Sequence, residues 1–211
     1  MTTLPQPIAS PDVAFRSLLG SNAEVATMLG LEGAVTQGHY RLLSGSHTDR
    51  FLAFSAVASD VSNLDRIAGW LGPTVDAWRA DAVISPSTAG VGLGSTLARR
   101  ISAPLYLASV GPDGRPTHVI GSSMGVGTRV LIVNDVATTG TSIRGLVDLV
   151  ASAGAVVAGA AWFASRSLTP VTAFEFPTAH IVDVDLPTSQ ADACVLCADT
   201  DDRIVDATDL N

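Results

Sequence analysis

Short apolar runs alternate with amphipathic stretches along most of this chain. From Pro11 to about Gly30, Val13, Leu18, Leu19, Val25 and Leu29 fall at helical spacing and predict one broken helix or two short ones. His39 to Val57, HYRLLSGSHTDRFLAFSAV, reads as two short strands around the turn Ser44-Gly45-Ser46. Asp60 is placed to cap a helix with Val61, Leu64, Ala68 and Leu71 on one face, stopped by Gly72-Pro73. Asp81 to Ser85 is a short apolar strand followed by a small-residue loop and a helix, and Pro104 to Val110 is a further strand. The turn GPDGRP then opens a hairpin or mobile loop from Gly111 to Gly127.

The clearest unit is RVLIVNDVATTGTSIRGLVDLV, Arg129 to Val150. Val130 to Val133 form a buried strand, and Ile143, Leu146, Val147 and Val150 recur at the i, i+3, i+4, i+7 spacing of a helix starting near Thr141 or Ser142. Another apolar run, AVVAGAAWFASR, ends at Arg166, and Pro170 to Asn211 adds a peripheral strand around HIVDVDL and a polar tail. Strands alternating with helices imply parallel pairing through right-handed crossovers, hence an α/β fold with an open, mainly parallel sheet. The 211 residues suit a single domain, with a core over about 11–167 and the strand and tail in 168–211.

Composition narrows the function. A 47% hydrophobic and 15% charged chain is of the globular kind, and no apolar run is long enough to span a bilayer. The N-terminus lacks a basic start and apolar block, so the expected location is cytoplasmic, without a membrane partner. A formal charge of −8 argues against a nucleic-acid surface, and all twelve basic residues are arginine. An anion must therefore be held locally. Cys194 and Cys197 form a lone C-x-x-C; a zinc site usually needs four ligands and only His180 is near in sequence, so they read as unremarkable thiols, and no metal ligand is assigned.

The loop between strand and helix supplies the local anion site. In an open parallel sheet, ligands lie outside the carboxyl ends of the strands. Thr138, Thr139, Gly140, Thr141 and Ser142 offer backbone amides and hydroxyls beside the positive end of the helix, the parts of a phosphate monoester site. Asn134 and Asp135 offer an amide and a carboxylate, which can hold a pair of sugar hydroxyls. Phosphate plus vicinal hydroxyls means a ribose 5-phosphate. A P-loop is ruled out by its missing lysine.

VLIVNDVATTGTS resembles the phosphoribosyl pyrophosphate motif of type I phosphoribosyltransferases. GHYRLLSGSHTDRF, Gly38 to Phe51, is similar to the N-terminal segment of orotate phosphoribosyltransferases, and VISPSTAGVGLGSTLAR, Val83 to Arg99, to their strand and pyrophosphate loop. The likeness spans about residues 11 to 167, with the motifs in the right order. It implies a type I phosphoribosyltransferase-like sheet with a small hood from the N-terminal segment. It further implies that Asn134 and Asp135 bind the ribose, and that Val136, Ala137, Thr138, Thr139, Gly140, Thr141 and Ser142 surround the 5-phosphate. Ser87, Thr88, Ala89 and Gly90 would form the pyrophosphate loop, and Thr138 and Arg166 would meet the base.

The activity implied is transfer of a phosphoribosyl group from phosphoribosyl pyrophosphate to a nitrogenous base, most simply orotate, in a homodimer. Asp135 would orient Mg2+ through water, and Arg115 would close over the leaving group. An altered acceptor, or a weakly catalytic nucleotide-binding regulator, are the alternatives. The chain departs from the family at Asn134, which replaces an acid, and at Ser109-Val110, which replaces a charged pair. It departs again at Leu43, which replaces a lysine, and in a pyrophosphate loop without a basic side chain; near the mobile loop only Arg115 and His118 are basic candidates.

Overall fold

The computed structural model describes residues 13–31, 33–42, 44–88, 90–168, 173–198 and 203–207. Its main sheet has seven strands in the order β1-β9-β8-β7-β4-β5-β6. These are β1 (Phe15–Ser17), β4 (Ala82–Pro86), β5 (Leu105–Val110), β6 (Pro116–Ile120), β7 (Arg129–Ala137), β8 (Val156–Ser165) and β9 (Thr178–Val184). The pairs β4·β5, β4·β7, β7·β8 and β8·β9 are parallel; β1 and β6 close the two edges antiparallel. The expected open, mainly parallel sheet is therefore present.

Alternation along β7 sets the layers. Leu131 and Val133 point to one face, under the helices α1 (Asn22–Leu29), α3 (Val61–Ala77) and α4 (Val91–Arg100), where Val25, Ile67, Leu71 and Leu93 are buried with them. Val130 and Ile132 point to the other face, against Ile143, Leu146 and Val150 of α5 (Thr141–Ser152). Both faces of β7 are covered, which explains why its sequence is a continuous apolar run. A three-stranded sheet, β10-β2-β3, stands apart from this core. It consists of the hairpin β2 (Val35–Arg41) and β3 (His47–Leu52), as expected, with a short helix α2 (Phe54–Ala58) after it, and of β10 (Ile204–Asp206) from the C-terminal segment. The hood thus combines N-terminal and C-terminal residues. Among the described residues no helix is long and apolar enough to cross a membrane.

Three expectations change. Phe15–Ser17 is not helical: it pairs with Val182–Val184 as an edge strand, where Arg16 meets Asp183 at 2.6 Å, so α1 is the only helix described before residue 30. Covered by β1, β9 is not the sheet's edge, and Ile181, Val182 and Val184 are fully buried. Asp60 does cap α3, accepting from Ser62 N at 2.8 Å, but the helix runs past Gly72 and through Pro73 to Ala77. A proline inside a helix costs about 3 kcal/mol; burial of Leu71 and Val75 on the same helix outweighs it. Residues 11 and 12 of the expected first helix, and residues 170–172, 199–202 and 208–211 of the expected C-terminal segment, lie outside the described residues.

Gly159 in β8 lies directly under the indole of Trp78 at the end of α3, and an added Cβ would run into the ring. Gly159→Ala is expected to destabilise the fold by about 1–3 kcal/mol through overpacking, read as a lower urea midpoint with an unchanged m-value.

Candidate functional site at the carboxyl end of the sheet

β7 is longer than its apolar run: it continues through Asn134 and Asp135 to Ala137, because β8 pairs with it as far as Ala137↔Ser165. The two polar residues therefore sit inside the strand end, on alternate sides. Asn134 is 4% exposed, and its amide nitrogen donates to Val136 O at 3.1 Å. Asp135 is half-buried at the floor of a cleft. Burial pushes its carboxyl up from the usual range, offset in part by the backbone N–H groups of Val136 and of Asp135 itself.

Beyond Ala137 the chain reverses through Gly140, whose φ of 76° lies in the left-handed region that favours glycine. This turn leads into α5, whose first residues line the same cleft as Asp135. Thr138 and Thr139 stay exposed, the Thr139 and Thr141 hydroxyls meet at 2.7 Å, and Arg144 donates to Thr139 O at 3.2 Å. No side chain caps α5, so its terminal amides are open to a ligand.

The cleft holds about 540 Å³. Its floor is Asn134 to Ile143, one wall is Pro86 at the end of β4 and Thr88 beyond it, and a second is Val110, Asp113, Gly114 and Arg115 from the β5–β6 hairpin. The hood contributes Leu42, Ser44, Phe51 and Leu52 and, from the C-terminal segment, Ala207. Arg166 completes it. The residue is 5% exposed, and its guanidinium donates through Nη2 to Thr48 Oγ1 at 3.3 Å and Arg50 O at 3.1 Å. Nε has no hydrogen-bond partner among the described residues. Burial brings the pKa of Arg166 down to about 10, with the Asp49 carboxylate pulling the other way.

The structure brings together most of the residues singled out in the sequence: Asn134 to Ser142, Thr88, Arg115 and Arg166 all line one cleft. Ser87 and Gly90 do not line it. Ser87 N instead bonds to Ala108 O at 2.8 Å, and a Cβ on Gly90 would lie 3.1 Å from Ser85 Oγ and 3.4 Å from Asp135 N, so Gly90 lets the second loop approach β7. Ala89 and Leu43 lie outside the described residues. Arg115 is largely exposed on the hairpin, 3.9 Å from Asp113. The apolar lining from Phe51, Leu52 and Val110 was not anticipated, since these residues read only as strand positions. His180, the histidine near the C-x-x-C in sequence, stacks on Trp162 and bonds to Asp183 at 2.7 Å.

A doubly covered, mainly parallel sheet with an amide-rich turn and an acidic strand end at its carboxyl edge, under a separate hood, defines an open α/β protein of the class that binds ligands outside the carboxyl ends of its strands. Residues 59–172 match the family model described as the phosphoribosyl transferase domain. An orotate phosphoribosyltransferase of Methylorubrum extorquens is 37% identical over 164 residues, 76% of this chain and 83% of that protein. One from Thermus thermophilus is 31% identical over 167 residues, 78% of this chain and 90% of that one. The crystal structure of orotate phosphoribosyltransferase from Aeropyrum pernix superposes with a TM-score of 0.54 at 33% identity, over 66% of this chain and 80% of that chain. The chain belongs to the phosphoribosyl transferase family, among its type I members.

Because the folded-state pKa of Asp135 is raised, its contribution to stability is fully present at low pH and is lost as the pH rises through that value. Asp135→Asn is thus expected to melt at a higher temperature than the parent protein at pH 8 without ligand, with the difference vanishing below about pH 4, near the ordinary carboxylate pKa. Paired thermal melts across that range check the sign.

Proposed function

We propose that this protein transfers the 5-phosphoribosyl group of phosphoribosyl pyrophosphate to a pyrimidine base, most simply orotate, releasing pyrophosphate. The observation that carries this reading is the pairing in one cleft of the open α5 amide turn with the buried Arg166. The turn suits the 5-phosphate, and the planar guanidinium, with its Nε unpartnered, suits a base bearing a carboxylate or carbonyl. The relatives of that name across most of the chain point the same way.

In this reading the N–H groups of residues 138 to 142, with the hydroxyls of Thr139 and Thr141, hold the 5-phosphate. Asp135 and Asn134 hold the ribose hydroxyls. The apolar wall of Phe51 and Leu52 excludes water from C1 of the sugar, where charge develops as pyrophosphate departs. Thr88 faces the diphosphate, and Arg115 swings from the hairpin to neutralise it.

Magnesium fits this cleft as an ion carried by the diphosphate. The lining offers two carboxylates, Asp135 and Asp113, and no cage of oxygen ligands, which matches the preference of Mg2+ for phosphate and water. When bound, the ion supplies positive charge on the leaving group. Asp135, kept at the floor by β7, would hold one of its waters.

A weakly catalytic nucleotide binder is the second reading, favoured by a lining whose only basic side chains among the described residues are Arg115 and Arg166 and by the amide at position 134. The reaction reading expects magnesium-dependent orotidine 5-phosphate formation from orotate and phosphoribosyl pyrophosphate. It expects Asn134→Asp to raise kcat, and Arg115→Ala to lower kcat by on the order of 10²-fold. Ribose 5-phosphate binding by calorimetry, with no pyrophosphate released from orotate, uracil or purine bases at high enzyme, would select the second reading. Arg166→Gln should raise KM for the base more than for phosphoribosyl pyrophosphate, and the steady-state constants for the two substrates read that difference directly.

A further inference from the structure

Away from the cleft, four side chains from three parts of the chain converge. His39 lies on β2 and His47 on β3; His47 pairs with Arg41, two residues from His39, so both imidazoles leave the same face of the hairpin. Cys194 precedes and Cys197 lies within a 3-10 turn, Val195–Ala198, and both sulfur atoms meet the imidazoles of that face. The segment leading to the turn is held by reciprocal backbone hydrogen bonds of 2.8 Å between His47 and Ser189.

The donor atoms face one point. His39 Nε2 lies 3.0 Å from His47 Nδ1, 3.5 Å from Cys194 Sγ and 3.7 Å from Cys197 Sγ, and Cys197 Sγ lies 3.2 Å from His47 Nδ1. All four ligand atoms lie within 4.8 Å of one another. A tetrahedron with Zn–S of about 2.3 Å and Zn–N of about 2.0–2.1 Å has edges of roughly 3.3–3.8 Å, close to the four separations above. His39, His47 and Cys194 are buried, and both cysteines are free thiols. One imidazole donating to the other would account for the histidine contact alone. It leaves two sulfur atoms pointed at the same nitrogens without a reason.

We propose that His39, His47, Cys194 and Cys197 bind a single zinc ion in a closed tetrahedral Cys2His2 site. Two thiolates and two imidazoles are soft and borderline donors that suit Zn2+ and disfavour Mg2+, so this site is chemically separate from the cleft. Binding displaces the two thiol protons.

All four protein ligands being used, no position remains for a substrate, so the ion is structural. It clamps the C-terminal segment onto the hood. That segment also supplies β10, which pairs with β2 and bonds Asp206 to Arg41 at 2.6 Å, and Ala207, which lines the cleft. His47 adjoins Thr48, whose hydroxyl donates to Pro187 O at 2.9 Å and accepts from Arg166. The clamp therefore fixes the hood residues that hold Arg166, whatever reaction the cleft performs.

The test is elemental analysis of the full chain purified under reducing conditions, before and after incubation with zinc and gel filtration. About one zinc per chain is expected, released as the thiols are titrated with a mercurial. Cobalt in place of zinc should give the intense visible bands of tetrahedral Co2+ and a sulfur-to-cobalt charge-transfer band, a readout on the parent chain that does not depend on a variant folding. The Cys194→Ser, Cys197→Ser double variant should lose the metal, and chelation should lower Tm in the parent but not in the variant. A chain that stays metal-free after reconstitution, a Cys194–Cys197 disulfide in its place, or metal retained by the double variant would each overturn the site.

Discussion

The turn at Gly140 is the constraint on which the cleft depends. It converts a strand buried on both faces into a helix within three residues of Ala137, and it can do so only with a residue that accepts a left-handed φ. The result is local and electrostatic: a helix start that no described side chain caps shares a cleft with a carboxylate that burial has made reluctant to ionise. In a chain of net charge −8 without a lysine, the amide turn adds to Arg115 and Arg166 as a local source of positive potential in the cleft. The second loop approaches the same strand because Gly90 has no Cβ to hold it off Ser85 and Asp135.

The hood works differently. It has little core of its own, only Tyr40, Phe51 and Ala207 with partly buried neighbours, and a sheet of three short strands gains little from burial alone. Its position is set by specific ties: Thr48 and Arg50 to Arg166, Thr48 to Pro187, His47 to Ser189, and Arg41 to Asp206. Every one of these joins residues far apart in sequence. Arg166 belongs as much to this set as to the cleft, since a guanidinium buried to this extent is tolerable only where carbonyl and hydroxyl oxygens receive its protons.

Periodicity determined much of the architecture before any coordinates. The run from Val130, the helix from Thr141, the hairpin around Gly45 and the parallel order all followed from spacing that one face or both faces of an element must satisfy. Asn134 to Ser142 read as a candidate ligand site because they form a dense cluster of small and hydroxyl residues at a strand end, and the fold gathers them in one cleft. The errors fell where tertiary burial overrides local preference. Pro73 sits inside α3 because Leu71 and Val75 are buried beside it, and Phe15–Ser17 is a strand because the edge of β9 was open to pairing.

What the sequence alone could not supply was which distant residues share a point in space. Arg166 was visible as a strand-end arginine, but its contacts with Thr48 and Arg50, more than a hundred residues earlier, were not. Cys194 and Cys197 read as unremarkable because spacing rules search nearby, and the histidines facing them are about 150 residues away on a hairpin. Local order is encoded in the period of side chains along the backbone, so it can be read from the chain. Convergence of side chains depends on how a strand, a hood and a tail are packed, and only the folded molecule decides it.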